Sequence, residues 1–119
     1  MMTDFTGKTA AVTGSSGIGL GAALHLARSG ARVFLAGIDA GLNDEAAALA
    51  ADEGLEMTIH QVDVAGEDSV RSWAGQIAGE TDVVHALVNA AGQQTYGTVE
   101  DTDPADWDHC IAVNLRSCY

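Results

Sequence analysis

The stretch Ala10-Ala11-Val12-Thr13-Gly14-Ser15-Ser16-Gly17-Ile18-Gly19-Leu20-Gly21 decides the fold. It reads as the end of a short apolar strand, a glycine turn and the first residues of a helix. That order places unpaired backbone N–H groups and the positive end of a helix dipole at one point. Such a point suits a phosphate or pyrophosphate. Gly14 permits the tight turn, and a missing side chain at Gly17 or Gly19 lets backbone approach a ligand closely. Glycines at this spacing also mark ordinary loops, so the surrounding sequence decides.

Working outward, Met1 to Gly7 is expected as a loose lead-in, and Lys8 to Thr13 as a strand apolar in its centre and buried on both faces. After the turn, Leu20, Ala23, Leu24 and Ala27 recur at helical spacing, with Gly30 suited to the C-cap. Arg32 to Ala36 is a second strand ended by Gly37. Leu42, Ala46 and Leu49 predict a second helical face, with Asn43, Asp44 and Glu45 in its first turn and Gly54 at its close. Leu55 to Val64 alternates as a third strand. Val70, Trp73, Ala74 and Ile77 share one face of a third helix that starts at Glu67 and Asp68. Val83 to Val88 is a near-continuous apolar fourth strand, closed by Asn89-Ala90-Ala91-Gly92. Asp103 and Pro104 open a final helix as N-cap and first helical residue, and Trp107, Cys110, Ile111, Leu115 and Cys118 are expected along one side of it.

Strand and helix alternate four times over connections too short for anything but right-handed crossovers. The fold class is therefore α/β: a Rossmann-like doubly wound parallel sheet, of which these residues supply about four strands. Residues 1–119 form one domain, with no internal repeat, low-complexity tract or linker. Apolar residues make up 47% and proline occurs once, which argues against disorder. The formal net charge of −12 repels phosphate backbones and anionic lipid, so neither nucleic acid nor a membrane surface is an expected partner. No apolar run approaches a membrane span and no secretory pattern opens the chain. Cys110 and Cys118 read as reduced thiols, which points to the cytoplasm.

Four pieces together resemble the short-chain dehydrogenase/reductase family: Thr13-Gly14 with Gly17-Ile18-Gly19, Asp63-Val64, Asn89-Ala90-Ala91-Gly92, and Val113-Asn114-Leu115. Their order and placement match the family along nearly the whole chain. The resemblance implies an NAD(P)-dependent oxidoreductase acting on a secondary alcohol or carbonyl. Gly14, Ser15, Ser16, Gly17 and Ile18 would hold the cofactor pyrophosphate, and Asp63 with the backbone of Val64 would contact adenine. Asn89, Ala90 and Gly92 would lie along the cofactor. Asn114 matches the asparagine that bends its helix and positions a water in the proton relay. The family's acidic residue that holds the ribose 2′-hydroxyl would fall at Gly37, and the nearest acid here is Asp39. With no lysine or arginine nearby, NAD is expected over NADP.

Plainer roles exist for several of these residues. Asp63 could cap the following helix, Asn89 could end its strand, and Asn114 could be a buried side chain bonded to backbone. Asp101, Asp103, Asp106 and Asp108 lack the loop glycine of a cation site, and His25, His60, His85 and His109 lack ligands at metal spacing, so no metal is expected.

Three features depart from the family. Two residues, not three, separate Gly14 from Gly17; Ala90 stands where asparagine is common; and the catalytic serine and Tyr-x-x-x-Lys belong to a second half not found in these 119 residues. Tyr96 is followed at the lysine position by Glu100, and Lys8 is the only lysine. A two-residue glycine spacing also occurs in the extended branch of the superfamily, but its third glycine would fall at Leu20. The expectation is an N-terminal cofactor-binding fragment, inactive alone, with a fourth strand left as an edge that invites self-association. The alternative is a non-catalytic nucleotide-binding or interaction module.

Overall fold

The computed structural model describes residues 3–119. Four strands, β1 (Thr9–Thr13), β2 (Arg32–Gly37), β3 (Met57–Gln61) and β4 (Ala86–Asn89), form one parallel sheet in the order β3-β2-β1-β4. Helices α1 (Gly17–Arg28), α2 (Ala40–Asp52) and α3 (Glu67–Ala78) are the crossovers, and α4 (Pro104–Asn114) follows β4. A 3₁₀ turn, Arg116–Cys118, comes after it. The expected Rossmann-like α/β architecture is the one observed.

Side chains of a strand alternate between faces, and the core divides accordingly. Ala10, Val12, Val33 and Leu35 pack with Ala23, Ala27 and Ala46 of α1 and α2 on one face. Ala11, Phe34 and Ala36 pack with Val62, Trp73 and Ile77 on the other, under α3. Phe34, Leu35, Val12 and Val33 are fully buried, each contributing about 1.5–3 kcal/mol of hydrophobic stabilisation. The central pair β1–β2 runs in register from Thr9 opposite Arg32 to Thr13 opposite Ala36.

Several sequence expectations shift in detail. Met1 and Met2 lie outside the described residues, but the rest of the lead-in is tied down. The Phe5 N–H donates to Ser29 O at 2.8 Å, and the Phe5 ring packs against the core. Helix α2 starts earlier than predicted, because the Asp39 carboxylate accepts from Leu42 N at 2.9 Å and acts as N-cap. Its inward face is Asn43, Ala46 and Ala50, while Leu42 and Leu49 are exposed. Small side chains let this helix lie close to the sheet. Both α1 and α2 end in the same paired C-terminal hydrogen bonds: Gly30 N to Ala27 O with Ala31 N to Leu26 O, then Gly54 N to Ala51 O with Leu55 N to Ala50 O. Arg28 and Glu53 pair across these two ends; the guanidinium lowers the Glu53 carboxyl from its ordinary range.

The edge strands are shorter than their apolar runs. Strand β3 covers only Met57–Gln61 of the predicted Leu55–Val64. The fourth strand begins at Ala86, not Val83, because the preceding residues are held differently. His85 N donates to Thr9 O, His85 Nδ1 accepts from Thr9 N, and the Thr81 hydroxyl binds the Val83 backbone. Val83, Val84 and Leu87 are exposed. Asp103 caps α4 through Ala105 N with Pro104 at its first position, as the sequence predicts. Trp107, Ile111 and Leu115 nevertheless face solvent, and Val113 is the buried residue of that helix. Cys118 lies in the 3₁₀ turn and not on α4, and both cysteines are unpaired.

Candidate functional site

Because the strands are parallel, Thr13, Gly37, Gln61 and Asn89 all end at one edge of the sheet. Chain order reverses there: β2 and β3 extend from one side of β1, and β4 lies on the other. Ligands of open α/β sheets bind in the crevice outside the carboxyl ends at such a reversal. A cleft of about 220 Å³ occupies it, with walls that include Gly14, Ser15, Ser16, Gly37, Asp39 and Asp63.

The glycine turn forms the cleft floor. Gly14 N donates to Ala36 O at 2.8 Å, fastening the turn to β2. Gly14 has φ +98, and a Cβ there would sit 3.1 Å from the Ala90 and Ala91 backbone. Glycine is therefore required both by conformation and by close approach. The Thr13 hydroxyl oxygen accepts from Ala90 N and Ala91 N at 3.2 Å, holding the segment after β4 against the turn. A Cβ at Gly19 would overlap the Gly14 carbonyl oxygen, so that missing side chain serves helix-to-turn packing rather than a ligand. Gly17, at φ +53, has open space where its Cβ would stand. The Ser16 side chain makes no cap hydrogen bond, and the N–H groups of Ser16, Gly17 and Ile18 have no partner among the described residues. Three unpaired donors at a helix start can accept an anion. The two-residue spacing between Gly14 and Gly17 therefore still yields a closed turn and a free helix N-terminus.

Of the residues the sequence singled out, Gly14, Ser15, Ser16, Asp39, Asp63, Val64, Ala90 and Gly92 all line this cleft. Gly17 and Ile18 adjoin it as the first turn of α1, with Ile18 exposed. Asn89 does not line it. Alternation along β4 puts Asn89 in a second, more apolar hollow of about 400 Å³, walled by Trp73, Ile77, Val84 and Leu87. Asp63 does not cap α3, whose N-cap is Gly66. Its Oδ1 accepts from Ala65 N at 2.9 Å.

Asn114 lies outside the lining but grips it. Its Oδ1 accepts from Gln93 N and its Nδ2 donates to Gln93 O, both at 2.7 Å. This paired hydrogen bond fixes the backbone that continues from Gly92 along the cleft. Asn114 is also the last residue of α4, where the chain turns into its 3₁₀ segment.

Sequence reasoning missed Asn43, Gln93 and His109. Asn43 is buried, and its Nδ2 donates to Gly37 O at 2.9 Å. Its position beside Ala46 on an apolar face was the available signal. Gln93 and His109 line the cleft. The side chains of the lining that carry or can acquire charge are Asp39, Asp63 and His109; neither lysine nor arginine is among them. Arg32 sits at the opposite end of β2, paired with Glu56 and Glu80.

The family model described as short chain dehydrogenase matches residues 8–119. D-beta-hydroxybutyrate dehydrogenase of Cupriavidus necator is 40% identical over 118 residues, covering 95% of this chain and 44% of that protein. D-threitol dehydrogenase of Mycolicibacterium smegmatis is likewise 40% identical, with the same shares covered. Among solved structures, a metagenomic short-chain oxidoreductase in complex with NADP superposes with TM-score 0.90 at 32% identity, covering 97% of this chain and 53% of that one. L-sorbose reductase from Gluconobacter frateurii, complexed with NADPH and L-sorbose, gives TM-score 0.90 at 28% identity over 99% of this chain and 46% of its own. The chain spans about half the length of the curated relatives it matches. With the glycine turn, the cleft at the sheet reversal and a family match over residues 8–119, the chain belongs to the short chain dehydrogenase family.

Proposed function

We propose that the chain is the dinucleotide-binding half of an NAD(P)-dependent oxidoreductase acting on a secondary alcohol or carbonyl. The observation that carries this reading is the cleft itself, where three unpaired N–H donors and a side-chain-free backbone meet at the sheet reversal. The nicotinamide cofactor would supply the hydride chemistry. The residues fit such a group: the Ser16, Gly17 and Ile18 amides, with Gly14 and Ser15, bind its pyrophosphate. Asp63, with one oxygen engaged by Ala65 N, keeps the other for an adenine amino group, and Val64 offers its backbone. Ala90 and Gly92 present backbone along the cofactor, and Asn114 holds the Gln93 segment in place. In this arrangement Asn114 is a positioning residue before it is a proton-relay residue. Asn89 braces the sheet from the other face.

NAD is favoured over NADP. Asp39 lines the cleft with one oxygen committed to capping α2, no lysine or arginine lines the cleft, and a 2′-phosphate beside Asp39 would meet its carboxylate. Two unpaired thiols fit a reducing cytoplasm. The exposed apolar edge of β4 favours self-association of the chain in solution.

A second reading is a nucleotide-binding module without catalysis. Calorimetric titration with NAD tests the shared core of both readings. Saturable one-to-one binding that is lost in Gly17→Glu, which sets a carboxylate among the free amides, supports them. No binding by the folded wild-type chain refutes them.

A further inference from the structure

At the amino end of the sheet, opposite the cleft, His85 holds the start of β4 to β1 with its side chain as well as its backbone. Its N–H donates to Thr9 O at 2.8 Å, and its ring Nδ1 accepts from Thr9 N at 3.0 Å. The imidazole stands where a backbone carbonyl of the neighbouring strand would otherwise answer Thr9. Only a neutral ring can do this: a nitrogen that accepts carries no proton, so the single ring proton sits on Nε2. Thr9 is 7% exposed, which leaves its N–H little water to turn to if the ring withdraws. His85 itself is exposed, so protons reach it. The residues before it fold mainly on themselves. The Thr81 hydroxyl donates to Val83 O at 3.1 Å and accepts from Val83 N at 3.3 Å, and it lies 3.4 Å from the Thr9 hydroxyl.

We propose that His85 is a pH-sensitive latch: neutral, it clasps the start of β4 to β1, and protonated, it lets go. The latch is independent of what the cleft binds. With a proton on Nδ1 the ring would set one donor against another at 3.0 Å, so it swings out and leaves Thr9 N unanswered. The unfolded chain has no such conflict and takes the proton more readily. Stability therefore falls as pH drops through the range where imidazole titrates, about 8 to 5. The charged groups on the elements around the ring are Lys8 beside Thr9, Arg32 opposite Thr9 on β2, and Glu80 and Asp82 after α3. Helix α1, which also packs on β4, carries His25 and Arg28, while the last turn of α3 carries no charge. Arg32 is bound to Glu56 and Glu80, and Arg28 to Glu53. None of these groups forms an ion pair with His85 among the described residues, so no carboxylate holds the protonated ring in place. Strand β4 pairs with β1 alone, so no second neighbour opposes release at its start.

The test is urea unfolding of the 119-residue chain at pH 8 and pH 5, wild type against His85→Asn. Asparagine offers an amide oxygen that accepts but does not titrate, close to where Nδ1 stands. Between the two pH values the folding constant of the wild type should fall about tenfold more than that of His85→Asn, the size of one buried hydrogen bond. Every other titrating group is common to both proteins, so the difference isolates His85. Equal losses would overturn the latch. Nitrogen NMR of the wild-type imidazoles gives an answer even where His85→Asn does not fold. At pH 8 His85 should be the Nε2–H tautomer, and the Thr9 amide proton should shift as that ring titrates. An Nδ1–H ring at pH 8, or a Thr9 amide indifferent to pH between 8 and 5, would refute the latch.

Discussion

Alanine substitution at two glycines of α1, Gly19 and Gly21, separates helix propensity from the geometry of the glycine turn. Replacing glycine by alanine inside a helix favours folding by about 0.5–1 kcal/mol. Both residues lie in α1 with no left-handed φ, so each should gain that amount from propensity alone. Their surroundings differ. A Cβ at Gly21 meets nothing within 4 Å, whereas one at Gly19 overlaps the carbonyl oxygen of Gly14 and comes within 3.0 Å of Thr13 O. Those are backbone atoms that no rotamer change can move. Relief requires α1 to swing away from the turn, a distortion of the overpacking kind that costs about 1–3 kcal/mol. Gly21→Ala should therefore be stabilised by under 1 kcal/mol and Gly19→Ala destabilised by about 1 kcal/mol. At roughly 4 °C per kcal/mol for a domain of this size, the two variants should melt some 8 °C apart. Thermal and urea unfolding followed by circular dichroism reads the difference directly. NAD affinity should fall in Gly19→Ala and hold in Gly21→Ala. Equal melting temperatures, or a more stable Gly19→Ala, would show that the turn does not depend on this contact.

Asp39→Asn should narrow the preference for NAD over NADP several-fold without loosening α2, because asparagine caps a helix as well as aspartate does; titration of both cofactors checks it, and an unchanged ratio removes Asp39 from the selectivity argument. The 119-residue chain should not turn over nicotinamide with secondary alcohols, since loss of a positioned general acid/base alone costs about 10²–10⁴-fold; steady cofactor reduction by purified protein would contradict this. At physiological salt, where repulsion from the net charge of −12 is screened beyond about 8 Å, the chain should self-associate through the β4 edge, and Leu87→Lys should return it to monomer in light scattering. A sharp wild-type monomer at low and moderate salt would instead show that the exposed edge is tolerated.

The parts of the fold set by local periodicity were legible in the sequence: β1, β2 and α1 fall where their apolar spacing puts them, and Asp103-Pro104 marks the α4 start. Misreadings cluster where one side of an element has no neighbour. The Val83 to Val88 run is apolar enough to be a buried strand, but β4 pairs only with β1, and its first half is drawn off by Thr81 and His85 contacts. Trp107, Ile111 and Leu115 were expected as an inward stripe, yet no packed element covers them. On α2 the small residues face inward and the leucines outward, an inversion that hydrophobicity alone does not signal. The cleft was read well because backbone geometry builds it, and glycines announce backbone geometry. Asn43 was not, because its bond to Gly37 O forms only when α2 packs back against the end of β2.

The central claim, that the cleft at the β1–β4 reversal binds a nicotinamide dinucleotide, is tested most directly by mapping backbone amide chemical shifts of the chain during NAD titration. The expected result is saturable shifts concentrated at residues 14–18, 37–39, 62–64 and 90–93, with the Ser16, Gly17 and Ile18 amides moving most. Shifts confined to the hollow beside Trp73 and Leu87, or no saturable shifts at millimolar NAD, would contradict it.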